Sequence, residues 1–86
     1  MKLTLLRKKI DQIDHNLLKL LAGRLEICKE IGRYKKKNKL LIQNLAREKE
    51  IIKERNKRFE ELGFNDKKFV QELFKLIMNK SRKVQK

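Results

Sequence analysis

Apolar residues in the first part of the chain recur at alternating steps of three and four, which places them on one face of an α-helix. The positions of this seam are Leu3, Leu6, Ile10, Ile13, Leu17, Leu20, Arg24, Ile27, Ile31 and Tyr34. Gly23 and Gly32 weaken the helix by only about 1 kcal/mol each relative to alanine. The pattern continues to the KKKNK run at 35–39. We therefore expect one helix from about residue 3 to about residue 37.

Two shorter stripes of apolar residues follow and predict helices over about residues 44–62 and 66–84. The first stripe is Leu41, Leu45, Glu48, Ile52, Arg55, Phe59 and Leu62. The second is Val70, Phe74, Ile77, Ser81 and Val84, widened by Leu73 and Met78. Asn44 is a suitable N-cap for the middle helix, and Asn65 or Asp66 for the last one. Gly63 is a suitable C′ residue to end the middle helix.

The length of the first helix determines the predicted architecture. Some 35 residues form a rod of roughly 50 Å, whereas a compact chain of this size has a radius of gyration of about 12 Å. Two short helices leave much of the apolar seam uncovered, and a second copy of the chain is the simplest cover. We expect residues 1–86 to form a single all-α domain that pairs as an intertwined homodimeric helical bundle. A fold back at Gly23 or Gly32 is the alternative.

The composition is strongly basic, with 25 Lys and Arg residues against 11 Asp and Glu and a formal net charge of +14. Such a balance favours polyanions, acidic membranes or small anionic ligands. No apolar run approaches the roughly 18 residues that span a bilayer, so we expect no membrane association. The single cysteine, Cys28, fits a reducing compartment, and a cytoplasmic location is expected.

Polar residues interrupt each apolar stripe and predict a polar pocket between facing helices. Long charged side chains at such positions are often structural, because their stems pack while their ends reach water. Several interruptions in one short chain favour a pocket instead. Its cations outnumber its one anion, Glu48, so a small, multiply charged anion is the expected ligand, and arginine binds carboxylates in a bidentate manner. The polar positions are Arg7, Arg24, Lys35, Arg47, Glu48, Arg55, Ser81 and Gln85.

Other chemistry has little support in the sequence. No cluster of His and Cys indicates a metal, no glycine-rich phosphate loop occurs, and no serine or cysteine has an obvious histidine base. His15 lies away from the seam and is expected to be solvated. Cys28 lies beside the seam and is expected to be buried and inert.

The segments LRKKIDQIDHNLLKLLAGR, AREKEII and LFKLIMNKSRKVQ, together with the spacing from Arg24 to Lys35, resemble the all-helical chorismate mutases over essentially the whole chain. The resemblance implies three helices with a very long first one, an intertwined homodimer, and conversion of chorismate to prephenate without a cofactor or a metal. That reaction belongs to the biosynthesis of phenylalanine and tyrosine through the shikimate pathway.

The resemblance also implies roles for individual residues. Arg24 and Arg47 would bind substrate carboxylates, and Arg7 would do so from the other subunit. Lys35 would contact both a carboxylate and the breaking ether oxygen, to which Gln85 would also donate. Glu48 and Asn44 would contact the substrate hydroxyl, and Ser81 would assist at the carboxylate side. Asn44 departs from an aspartate found in some bacterial members, and Arg55 stands where an aliphatic residue is usual. We expect Lys35, Gln85 and Arg47 to be the catalytic residues.

Physical chemistry gives these residues a coherent task. A pericyclic reaction needs a substrate held in its reactive conformer and preorganised donors for the charge that grows on the ether oxygen. Two other interpretations stay open. The charge of +14 and the KKKNK run suit a nucleic-acid-binding protein, although the basic residues are spread over all three helices and few aromatic residues are free for stacking. The second of these interpretations is a purely structural dimerisation module.

Overall fold

Three α-helices make up the structured part of the chain in a computed structural model, which describes residues 2–86. They are α1 (Lys2–Lys37), α2 (Leu45–Glu61) and α3 (Lys67–Gln85). Residues 2–86 contain no strand. The prediction of an all-α chain with three helices and a very long first one is confirmed, and the helix bounds differ from the predicted ones by one residue. None of the helices in this part of the chain is long and apolar enough to cross a membrane.

Local side chains account for where α2 and α3 begin. The Asn44 side chain accepts a hydrogen bond from the Arg47 amide at 3.0 Å, and the Asp66 side chain accepts one from the Phe69 amide at 3.1 Å. Each satisfies an amide that has no partner inside the first helical turn. Both residues are therefore N-caps, and Asp66 rather than Asn65 caps α3.

A Schellman motif ends α2. Gly63 has a φ of 99°, and its amide donates to the Glu60 carbonyl at 2.9 Å. The Phe64 amide donates to the Phe59 carbonyl at 3.1 Å, and the two rings stack with their centroids 5.3 Å apart. This pairing of hydrogen bonds and apolar contact is typical of the motif, and glycine adopts the left-handed conformation without steric cost. The predicted role of Gly63 is confirmed.

The helices α1 and α2 both pack on α3, and α3 contacts only the C-terminal half of α1. The buried face of α1 contains Cys28 and Gly32. Ile27, which lies on the predicted seam next to Cys28, is 59% exposed in the single chain. The pattern located the helix but not the face that α3 covers, because the neighbouring rows of a helix surface are both apolar here. The expectation that Cys28 is buried is confirmed.

The N-terminal half of α1 extends away from the other helices. The molecule measures 56 × 24 × 16 Å, with a radius of gyration of 16.0 Å. The predicted seam is exposed along its whole length, except at Arg24, which is half-buried. The alternative of a fold back at Gly23 or Gly32 is wrong, because α1 continues through both glycines. Leu41 and Leu45, expected on the packed stripe of α2, are also exposed, whereas Ile51 is buried.

Candidate active site

A cleft of about 270 Å³ lies where the C-terminal half of α1, the connection before α2, the first turns of α2 and the end of α3 meet. Seven of the eight residues predicted to bind the ligand line this one cleft. They are Arg24, Lys35, Asn44, Arg47, Glu48, Ser81 and Gln85. Residues far apart in the chain thus converge because α3 lies between α1 and α2.

Arg24 is held at the floor of the cleft by α3. Its Nη1 donates to the Ser81 hydroxyl, and the same nitrogen lies 3.9 Å from the Cys28 sulfur. Ser81 is buried, and its own hydroxyl donates to the Ile77 carbonyl at 2.8 Å. Ser81 therefore orients the guanidinium, whose remaining N–H groups can donate to a ligand.

Lys35 is held by the chain that follows α1. Its Nζ donates to the Ile42 carbonyl at 2.6 Å. An ammonium group has three donors, so two remain for a ligand. The side chain is half-buried, and one fixed hydrogen bond limits how far its charge can move.

Asn44 and Arg47 lie at the mouth of the cleft. Asn44 uses its Oδ1 to cap α2, and its amide NH₂ group can donate to a ligand. The Arg47 guanidinium pairs with Glu50, and its side chain is 52% exposed. An exposed ion pair of this kind contributes only about 0–1 kcal/mol, so Arg47 can exchange Glu50 for an anionic ligand at little cost.

Glu48 is the one acidic residue that lines the cleft, and it is paired across helices. Its Oε2 accepts a hydrogen bond from Arg82 Nη1 at 2.7 Å, and the Glu48 and Arg82 side chains are only 21% and 27% exposed. Arg82 was not among the residues predicted from the sequence. Its position directly after Ser81 was the available signal, because a basic residue there can reach an acid on the facing helix.

Gln85 reaches the cleft from the last turn of α3. Its Oε1 is buried and has no hydrogen-bond partner within residues 2–86. Gly32 makes this position possible, since a Cβ on Gly32 would lie 2.6 Å from both the Cα and the carbonyl oxygen of Gln85. From the sequence, Gly32 was expected only to weaken α1 or to allow a fold back, because the approach of a distant helix leaves no local signal.

Replacing Gly32 by alanine is expected to force the end of α3 away from α1. Two backbone atoms of Gln85 occupy the space of the new methyl group, and overpacking of this kind costs about 1–3 kcal/mol. Gly23→Ala is the matched control, since nothing lies within 4 Å of its added Cβ and the gain in helix propensity is the same. Chemical denaturation should therefore show Gly32→Ala less stable than Gly23→Ala by about 1–3 kcal/mol. Equal stability of the two variants would contradict the close approach.

Arg7 is the one predicted site residue that the single chain does not bring to the cleft. It is exposed on the first turns of α1, and helix geometry puts it about 25 Å along the axis from Arg24. A single chain therefore cannot use Arg7 and Arg24 on one small ligand.

The cleft combines a positive charge with apolar walls. Four cationic side chains, on Arg24, Lys35, Arg47 and Arg82, face one carboxylate, on Glu48. The apolar lining consists of Cys28, Ile31, Ile42, Ile51 and Met78. Within residues 2–86 no group of three or more His, Cys, Asp or Glu side chains is placed to hold a metal ion. Such an arrangement suits a compact organic anion with a carbon skeleton and one or more hydroxyl groups.

Arg55 lies outside the cleft. Its guanidinium sits over the Phe74 ring at 5.8 Å from the centroid and 3.3 Å from Glu54. A cation over an aromatic face is attracted by the ring quadrupole. Arg55 thus packs α2 against α3, which gives a structural reason for a charged residue on the apolar stripe.

Residues 6–86 match the family model described as chorismate mutase type II, and the chain belongs to that family of all-helical proteins. The chain is 32% identical to a chorismate mutase of Methanocaldococcus jannaschii over 85 residues, which cover 99% of the chain and 85% of that protein. It is 36% identical over 80 residues to the T-protein of Enterobacter agglomerans, with 93% of the chain covered, and the matched part is 21% of the T-protein's length.

A solved structure supports the same fold. A conserved hypothetical protein from Pyrococcus furiosus superposes with a TM-score of 0.80 and shares 37% of its residues with the chain. The match covers 100% of the chain and 97% of that structure. The long α1 and the two shorter helices are thus an arrangement that a related protein also adopts.

Proposed function

We propose that the protein rearranges chorismate to prephenate in the biosynthesis of phenylalanine and tyrosine. The observation that carries the proposal is the convergence of Arg24, Lys35 and Gln85 on one cleft in a chain of the chorismate mutase type II family. These side chains come from α1 and α3, and each has hydrogen-bonding capacity that the protein itself does not use. The charge of +14 also attracts a dianion from a distance.

Binding of the substrate relies on the cations of the cleft. Arg24, already fixed by Ser81, binds one carboxylate with its remaining N–H groups, and Arg47 leaves Glu50 to bind a carboxylate at the mouth. Glu48 accepts a hydrogen bond from the substrate hydroxyl. Holding both ends of the dianion favours the folded conformer in which the reacting carbons are close together, and this orientation is a large part of the catalytic effect.

The chemical step needs donors at the ether oxygen, because negative charge grows there as the carbon–oxygen bond breaks. Lys35 supplies a cation, and the Gln85 carboxamide supplies a neutral N–H donor. A half-turn of that carboxamide exchanges its oxygen for its NH₂ group and directs a donor to the buried position that Oε1 now occupies. Donors that are already in place need no reorganisation during the reaction, which is why they lower the barrier.

The proposed enzyme is a homodimer with sites shared between chains. The seam of α1 exposes Leu6, Ile10, Ile13 and Leu17 to solvent, and an exposed apolar surface of this length is typical of an interface. A second copy that covers the seam brings its own α1 alongside the cleft, and Arg7 of that copy then supplies the further cation that the single chain lacks. A two-fold arrangement gives both sites the same composition.

The direct test is to incubate the purified protein with chorismate and follow the loss of chorismate absorbance. We expect turnover without any added metal or cofactor. The nucleic-acid-binding alternative predicts untouched chorismate and salt-sensitive binding of duplex DNA instead. A bare dimerisation module predicts neither activity.

Replacing Gln85 by glutamate is expected to make turnover depend on pH. A carboxylate cannot donate to the ether oxygen, whereas the protonated acid can, so kcat of the variant should rise as the pH is lowered. The wild-type amide does not titrate and contributes no such dependence. Gln85→Met is the control, with low kcat and no rise at acidic pH. A Gln85→Glu enzyme whose pH profile matches the wild type would remove Gln85 from the mechanism.

A further inference from the structure

Arg82 and Glu48 form an ion pair inside the cleft that the proposed chemistry does not require. The pair joins α2 to α3 at 2.7 Å, and both side chains are more than two-thirds buried. Both residues line the cleft. We infer that Arg82 is a positioning residue, which holds the Glu48 carboxylate in the orientation that accepts the substrate hydroxyl. This inference rests on the proposed function.

The geometry gives the two carboxylate oxygens different tasks. Arg82 Nη1 donates to Oε2 of Glu48, so Oε1, which keeps both of its lone pairs, is the more available oxygen for a hydrogen bond from a ligand. Glu48 also lies in the first turn of α2, where the helix dipole favours a negative charge. Charge-assisted hydrogen bonds are about twice as strong as neutral ones, so this contact restricts rotation of the carboxylate.

Arg82 also protects the other cations of the cleft from Glu48. Without Arg82, the carboxylate has three further cations within the same cleft, Arg24, Lys35 and Arg47. Pairing with any of them would withdraw a donor from the substrate. Arg82 on α3 pairs with the charge of Glu48. Lys35 and Arg47 therefore stay free for the substrate anion.

A double-mutant cycle separates this role from direct substrate binding. We expect Arg82→Met to lower kcat/KM for chorismate by about 10- to 100-fold, the range for losing a hydrogen bond to a charged group. In a Glu48→Gln background the same replacement should change kcat/KM by less than about 2-fold, because two residues that act as a unit are not additive. In Arg82→Met and in Glu48→Gln, the loss of kcat/KM should come from KM and kcat in the same proportion, since both replacements disturb the same substrate contact.

Two further variants keep the test specific. Arg82→Lys retains one charged donor for the single contact with Oε2, and kcat/KM should stay within about 3-fold of wild type. Lys83→Met, at the neighbouring exposed position of α3, should have no effect. Melting temperatures of all variants should be measured beside the kinetics, because a purely structural pair would lower activity only as far as it unfolds the protein at the assay temperature.

The possible results are distinct. Additive losses in the cycle would mean that Arg82 binds the substrate itself, and losses of activity that match the unfolded fraction of each variant would mean that Arg82 only joins two helices; either result overturns the inference. Failure of Arg82→Lys to retain activity would also count against it. A wild-type protein that leaves chorismate untouched would overturn the proposed function and the inference together, whereas an active wild type with additive losses would overturn the inference alone.

Discussion

Replacement of Lys35 by methionine is expected to lower kcat for chorismate by about 100- to 1,000-fold, the range for losing one preorganised donor to developing negative charge. Lys35 is held by the Ile42 carbonyl at 2.6 Å, so its ammonium group is fixed before the substrate arrives. Methionine keeps an unbranched side chain of similar length, which preserves packing while it removes the charge and all three N–H donors. The kinetics of chorismate loss measure the effect.

Lys37 provides the matched control for this replacement. It is an exposed lysine in the same last turn of α1 and does not line the cleft. Lys37→Met removes the same charge from the molecule, so any effect of net charge on substrate attraction is equal in the two variants. We expect Lys37→Met to keep wild-type kcat. A loss of less than about 3-fold in Lys35→Met would contradict the assignment of Lys35 to the chemical step.

Periodicity and capping residues were sufficient to predict the helices. Apolar steps of three and four mark a helix wherever it packs. Asn44 and Asp66 begin α2 and α3, and Gly63 ends α2, through contacts with residues close in the chain. Interruptions of the apolar stripes and the resemblance to a family together supplied the eight predicted ligand-binding residues, and the structure places seven of them around one cleft. Structural features that depend on residues close in the chain, such as the bounds and caps of the helices, were therefore predictable.

Contacts between helices were less predictable, because they depend on which face each helix turns to its neighbours. The pattern did not show which row of α1 faces α3, because in the single chain Ile27 on the seam is exposed while Cys28 beside it is buried. The Arg82–Glu48 pair and the approach of Gln85 to Gly32 join residues far apart in sequence. Neither contact leaves a periodic signal in the sequence. A charged residue on a helix flank, or a glycine inside a helix, can occur there for many structural reasons.

Arg7→Ala and Arg24→Ala chains, each nearly inactive alone, are expected to recover activity when mixed. Arg7 is remote from the cleft of its own chain, and Arg24 is fixed inside it by Ser81. In a shared site, Arg24 of one chain works with Arg7 of the other. A heterodimer of the two variants therefore has one site with both arginines and one site with neither. Random pairing of equal amounts makes about half of the dimers mixed, so about a quarter of all sites are intact.

Co-refolding the two variants and assaying chorismate loss should give about a quarter of wild-type kcat per chain, while each variant refolded alone stays near zero. Lys8→Ala is the control for Arg7→Ala. Lys8 lies on the opposite side of α1 from the seam, so that removing its charge should not change the activity. Light scattering at assay concentration should show a dimer for every variant. If the co-refolded mixture shows only the average of the two variants, or the wild type is a fully active monomer, the sites are not shared between chains.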